Sequence, residues 1–175
     1  MRLEQGLVQV YTGDGKGKTT AALGLALRAS GHGLKVCIIQ YMKGGDNEGA
    51  LATLNRLNNV TIKRFGRAGF VNLRRPDPAD VRCAREAWQE SLDRLRSGEC
   101  DLVILDEVNV AARHRLISLE QLWMLLDARP QHVELVMTGR DAPPELLERA
   151  DLVTEMRSVK HPYARGVKAR EGIEY

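Results

Sequence analysis

The sequence predicts an α/β fold, a mainly parallel sheet of roughly six strands covered by helices on both faces, and three observations carry that prediction. Short apolar runs rich in β-branched residues alternate with helical patterns from Leu7 to Met156. One of them, Leu102-Val103-Ile104-Leu105, is apolar without interruption, as a central parallel strand is when both of its faces are covered. A glycine-rich loop joins the first strand directly to the first helix. Strand–helix alternation builds parallel sheets because each crossover returns the chain to the same edge.

The elements follow in order. Leu7 to Tyr11 is the first strand, and the Ala- and Leu-rich stretch Lys18 to Ala29 is a helix ended by Gly31-His32-Gly33. Val36 to Ile39 is the second strand. Beyond the glycine-rich stretch 44–49, a short helix with Leu51, Leu54 and Leu57 on one face leads to Asn58-Asn59 and a third strand, Val60 to Phe65. Asp77 caps the next helix and Pro78 suits its first turn. Val81, Ala84, Trp88, Leu92 and Leu95 recur at steps of three or four along it, and Ser97-Gly98 ends it. After the fourth strand, Leu102 to Leu105, Ser118 with Gln121 makes a capping box for a helix to about Asp127. Val133 to Met137 is a fifth strand, Pro143 to Arg149 a short helix, and Leu152 to Met156 a sixth strand. Trp88 and Trp123 lie on apolar helix faces and read as core.

The 175 residues suit one domain spanning 1–175 with a basic C-terminal tail at about 158–175. No apolar run approaches the roughly 18 residues of a membrane span, and no apolar signal region follows the N-terminus, so a cytoplasmic protein without membrane partners is expected. Cys37, Cys83 and Cys100 are odd in number and far apart, and the four histidines are scattered. Reduced thiols follow, with neither a structural zinc nor a Cys-His nucleophile. A net charge of +3 is too small to argue for nucleic acid, but it is unevenly distributed. Segment 63–85 carries a local +5 and segment 157–175 a local +3, leaving −5 on the remainder. Such basic segments suit an anionic ligand or a solvated face.

The residues that carry chemistry follow the first strand: Thr12-Gly13-Asp14-Gly15-Lys16-Gly17-Lys18-Thr19-Thr20. A glycine-rich strand-to-helix loop exposes successive backbone N–H groups beside the positive end of a helix dipole, and both favour a phosphate chain. Gly13, Asp14, Gly15, Lys16, Gly17, Lys18, Thr19 and Thr20 are therefore the candidate phosphate cradle of a P-loop nucleotide-binding fold. Lys18 adds a point charge, and the Thr19 hydroxyl suits Mg²⁺. The ordinary spacing G-x-x-x-x-G-K-[ST] wants a glycine at position 12, where this chain has Thr12, so the loop is one residue short. Asp106-Glu107, directly after the fourth strand, is the candidate carboxylate partner for the metal. Glu48 is a further candidate for the ribose or the metal. Arg140 follows the fifth strand, hence shares the edge where open α/β sheets bind ligands, and is a candidate phosphate contact.

Taken together these stretches resemble the P-loop ATP:corrinoid adenosyltransferases, which act on cob(I)alamin or cob(I)yrinic acid a,c-diamide. The resemblance is carried by residues 12–22, Gln40-Tyr41-Met42-Lys43-Gly44, Leu105-Asp106-Glu107, Ala128-Arg129-Pro130, Thr138-Gly139-Arg140, Val159-Lys160-His161, Gly166 to Ala169 and Gly172-Ile173-Glu174-Tyr175. It implies transfer of the 5′-deoxyadenosyl group of ATP to Co(I) of a reduced corrinoid with release of triphosphate, in adenosylcobalamin biosynthesis or salvage. It also implies Mg-ATP as co-substrate, an external electron donor and a homodimer. Lys18, Thr19 and Glu107 would stabilise the leaving triphosphate, and Phe70 would wall the corrinoid. Some members carry Phe-x-Trp there, whereas this chain reads Phe70-Val71-Asn72. In segment 63–85, Arg67, Arg74 and Arg75 are candidate partners for corrinoid carboxylates. Two rivals remain at this stage: a P-loop NTPase or small-molecule kinase, and a non-catalytic corrinoid-binding or delivery protein.

Overall fold

The computed structural model describes residues 3–45, 49–69 and 71–174. Its strands are β1 (Val8–Thr12), β2 (Val36–Tyr41), β3 (Val60–Phe65), β4 (Leu102–Asp106), β5 (Glu134–Thr138) and β6 (Leu152–Glu155). They form one sheet in the order β3-β2-β4-β5-β1-β6, and every neighbouring pair is parallel. The sheet expected to be mainly parallel is thus wholly so. Each connection passes through a helix, and a strand re-entering from a crossover has no other direction available.

The helices are α1 (Lys18–Gly31), α2 (Gly49–Leu54), α3 (Pro78–Ser97), α4 (Val108–Arg113), α5 (Leu119–Asp127) and α6 (Pro144–Arg149), with a 3₁₀ turn at Pro162–Arg165. Pleating splits the buried residues into two cores. Cys37, Ile39 and Tyr41 of β2 and Val103 and Leu105 of β4 face α3, α4, α5 and α6. Val36 and Ile38 of β2 and Leu102 and Ile104 of β4 face α1 and α2. Both faces of the central strands are covered, which accounts for their unbroken apolar runs.

Local chemistry fixes the helix ends. The Asp77 side chain accepts from Ala79 N (2.8 Å), and Gly98 ends α3 in the left-handed conformation (φ 59°). Ser118 and Gln121 close a reciprocal capping box on α5. The expected core role of Trp88 is met: it packs on the larger core and its indole N–H donates to Gln121 O (2.9 Å). Trp123 also packs there, with the Arg149 guanidinium 5.4 Å above its ring. No helix among the described residues is long and apolar enough to cross a membrane.

The amino edge of the sheet is knitted by Arg129. Its guanidinium donates to the carbonyls of Gly6 (3.1 Å) and Val133 (2.8 Å), tying the entry to β1 against the entry to β5. A Cβ at Gly6 would lie 2.2 Å from the Val133 carbonyl, so only glycine permits this approach. Ala128-Arg129-Pro130 is therefore a structural stretch at the end of the sheet opposite the phosphate loop. Arg129→Met is expected to lower stability by about 1–3 kcal/mol, because buried carbonyls lose their donor. Urea unfolding reads the loss.

Candidate functional site

The carboxyl edge of the sheet gathers the ends of β1, β2, β4, β5 and β6. The loop after β1 turns through Gly13 (φ 92°) and Gly17 (φ 122°), conformations that favour glycine. Gly15 N donates to Met156 O (2.7 Å), and a Cβ at Gly15 would lie 2.7 Å from that oxygen. The loop thus rests on the chain leaving β6, and its glycines are required by contact as well as by torsion. Lys18 is buried, and its Nζ donates to Gly13 O and Gly15 O, both at 2.7 Å, so its charge sits in the middle of the loop. Burial and the nearby Arg140 pull the Lys18 pKa below the ordinary lysine value, with Glu107, Asp14 and Asp141 opposing.

Asp106 is the centre of the edge. Its carboxylate is fully buried and accepts from Thr19 Oγ1 (2.8 Å), Thr138 Oγ1 (2.7 Å) and Gln40 Nε2 (2.9 Å). Lys43 Nζ lies 2.9 Å from its second oxygen. One side chain therefore binds α1, β2, the loop after β2, and β5 together. Glu107 follows with φ 65°, a strained left-handed conformation for a residue with a side chain. Its N–H donates to Thr138 Oγ1 (3.0 Å). Among the described residues its carboxylate has no hydrogen-bond or ion-pair partner. Burial, then the charge of Asp106, push its pKa up, while Lys43, Lys18 and Arg140 pull the other way.

A cleft of about 1130 Å³ opens over these groups. It is lined by the loop from Asp14 to Thr20, by Lys43, Glu107 and Arg140, by Gly49, Ala50 and Thr53 of α2, and by tail residues that include His161 and Tyr163. The expected residues Asp14, Gly15, Lys16, Gly17, Lys18, Thr19, Thr20, Glu107 and Arg140 are brought together here, with Gly13 behind them as an acceptor for Lys18. Glu48 and Phe70 lie outside the described residues. Arg67, a candidate for corrinoid carboxylates, is instead committed locally: Nε and Nη2 meet Asp80 at 2.9 and 3.0 Å, and Asp77 stands 3.6 Å away. Asp80 is buried in α3, and a guanidinium two-pronged on it is not available to a ligand at no cost.

Sequence reasoning did not single out Gln40 and Lys43 as site residues, nor the tail as a wall of the cleft. A signal for the first was present, since Gln40 is a polar residue at the end of an otherwise apolar strand and is fully buried. The tail has no such local signal.

The chain matches the family described as ATP:corrinoid adenosyltransferase BtuR/CobO/CobP over residues 4–175. It is 37% identical over 174 residues to the corrinoid adenosyltransferase of Pseudomonas aeruginosa, covering 99% of this chain and 86% of that protein. The corrinoid adenosyltransferase of Escherichia coli K12 is 38% identical over 172 residues, 98% of this chain and 87% of that protein. The corrinoid adenosyltransferase CobA of Salmonella typhimurium shows the same identity over the same coverage.

The unpartnered carboxylate of Glu107 has a measurable consequence. Its folded-state pKa is raised, so the folded chain holds the proton more tightly and stability falls as pH rises from the unfolded toward the folded pKa. Above that window the full cost is present. Glu107→Gln is expected to raise the neutral-pH Tm, by about 2–4 °C for each kcal/mol relieved, and to leave Tm below that window nearly unchanged. Thermal unfolding at two pH values reads both.

Proposed function

The chain belongs to the ATP:corrinoid adenosyltransferase family, and we propose that it moves the 5′-deoxyadenosyl group of ATP onto Co(I) of a reduced corrinoid with departure of the intact triphosphate. The observation that carries this reading is the hydrogen bond of Thr19 to the buried Asp106 beneath a lysine-bearing glycine loop, in a chain that matches the family along nearly its whole length. The attacking atom belongs to the corrinoid, so the protein supplies no nucleophile of its own. Its tasks are to bind, orient and stabilise charge.

The loop N–H groups and Lys18 face the phosphates, and the leaving oxygen gains charge as the bond to C5′ breaks. Lys18, already desolvated and held at the centre of the loop, is placed to offset that charge with little reorganisation. Arg140 adds a further cation at the same cleft. Lys43 balances Asp106, which keeps a buried anion stable under the loop.

Mg²⁺ fits the oxygen donors gathered by Thr19, Asp106 and Glu107, one hydroxyl and two carboxylates suited to a hard cation. Asp106 has its oxygens engaged by protein donors, whereas Glu107 is half-buried with its carboxylate unpartnered among the described residues, the state a cation would relieve. When bound, the ion supplies neutralisation of phosphate oxygens. Glu48 and Phe70 complete the proposed site, Glu48 at the ribose or the ion and Phe70 against the corrinoid. The substrate is cob(I)alamin or an earlier cob(I)yrinic-type corrinoid, reduced by an external donor. The reaction runs in the cytoplasm, in a single domain that works as a homodimer.

Mixing the protein with Mg-ATP and a chemically reduced corrinoid should discharge the Co(I) absorbance with one inorganic triphosphate formed per adenosylated corrinoid. Orthophosphate, or product without a corrinoid, would overturn the reading in favour of an ordinary hydrolase. Lys18→Ala should lower kcat by about 10²–10³-fold, the loss associated with removing one donor from a developing anion.

A further inference from the structure

The hydrogen bonds that fasten residues 157–174 to the rest of the described chain end on two residues of the phosphate loop. Ser158 N donates to Asp14 Oδ1 (3.1 Å). Lys16 Nζ donates to Ile173 O and pairs with Glu174 Oε1, both at 3.1 Å. The tail is otherwise largely exposed and contributes no residue to either core. Nevertheless Ser158, His161, Tyr163, Ala164, Ile173 and Glu174 form one wall of the cleft. A segment without core contacts is ordered by its few polar attachments, and here those attachments are made to the loop that cradles the phosphates.

Glu174 is itself built into place. Gly172 (φ 74°) turns the chain so that Glu174 N donates to Arg170 O (2.9 Å). Arg170 grips the Glu174 carboxylate through its N–H (2.8 Å), Nε (3.1 Å) and Nη2 (3.0 Å). The carboxylate that meets Lys16 is therefore oriented by a closed turn, and Arg170 with Lys16 holds it ionised, its pKa pulled down to about 2. Lys16 stands between two glycines whose backbone allows its side chain many directions, and this carboxylate selects one of them.

We infer that Glu174 is a positioning residue for nucleotide binding: held by Arg170, it sets the direction of Lys16 on the phosphate loop and thereby anchors the tail as a wall of the ATP cleft. The inference rests on the reading of this cleft as the ATP site, and it assigns the tail to the same active site.

The test measures Mg-ATP binding to the full chain by calorimetry without any corrinoid, so it does not depend on the transfer reaction. Glu174→Gln is expected to weaken ATP by about two- to five-fold, the range open to a solvent-accessible ion pair. In a Lys16→Met background the same substitution should have no further effect, because its influence passes through Lys16. Tm should stay unchanged, since the tail adds nothing to either core. Unchanged or tighter ATP binding in Glu174→Gln would overturn the inference, the tighter result making Glu174 a competing anion. Losses that add in the double variant would overturn it too, reducing Glu174 to a structural residue of the tail. Absence of ATP binding by the unaltered chain would overturn both this inference and the proposed function, whereas ATP binding without adenosyl transfer would sink the latter alone.

Discussion

A single buried carboxylate organises the working edge of this protein. Asp106 ends the central strand β4 with no access to solvent, and such an anion persists only where donors replace the lost water. Thr19, Thr138, Gln40 and Lys43 are those donors, and they come from four separate parts of the chain. Satisfying Asp106 therefore fixes the start of α1 against β5 and pulls the loop after β2 over the edge. The phosphate loop inherits its position from this arrangement, because Thr19 lies one residue beyond Lys18. Glu107, next in sequence, lines the cleft with its carboxylate unpartnered among the described residues, so two adjacent carboxylates receive opposite treatment. The first is met by protein donors on both oxygens, and the second is kept at a cost in the folded state, as groups at working sites commonly are.

Much of this was legible in the sequence, and the reasons differ by element. The six strands and the capped helices announce themselves through apolar runs, Asp77-Pro78 and Ser118 to Gln121, signals that act over a few residues. The phosphate loop and Asp106-Glu107 were readable because α/β crossovers place successive strand ends at one edge. α4 was missed, since its six residues are too few to show a helical period and its N-cap, Glu107, is a left-handed turn that makes no side-chain cap hydrogen bond. The partners of Asp106 were only partly visible: Thr19 and Thr138 sit at predicted strand or helix ends, whereas Lys43 reaches its place through an irregular loop. The contact of Lys16 with Glu174 joins residues 158 positions apart, and neither periodicity nor spacing reports such a pairing.

The uneven charge of the chain also takes on a physical meaning. In segment 63–85, Lys63 is drawn to Glu90 (2.8 Å) and Arg67 to Asp80, so part of the local excess fastens α3 to the chain before it. Two cations on one helix carboxylate, Lys63 and Arg94 on Glu90, hold that carboxyl group below its usual pKa against the opposing effect of burial. In the tail, Arg170 is committed to its own turn through Glu174, and it is that anion that meets Lys16 of the phosphate loop. A local charge surplus in sequence is thus partly consumed by structure in the first segment, whereas the tail residues that line the cleft include no lysine or arginine.

The support that Met156 gives to Thr12 and Gly15 has a temporal consequence. β1 lies between β5 and β6, so both of its sheet neighbours are encoded more than a hundred residues downstream. On the ribosome, β1 and its loop emerge long before either flank exists, while β2 and β3 already have each other. The phosphate loop is therefore made before the strands that support it and acquires its shape only after them. A growing chain would carry Lys16 and Lys18 on an unsupported loop until the strand ending at Glu155 has closed beside it.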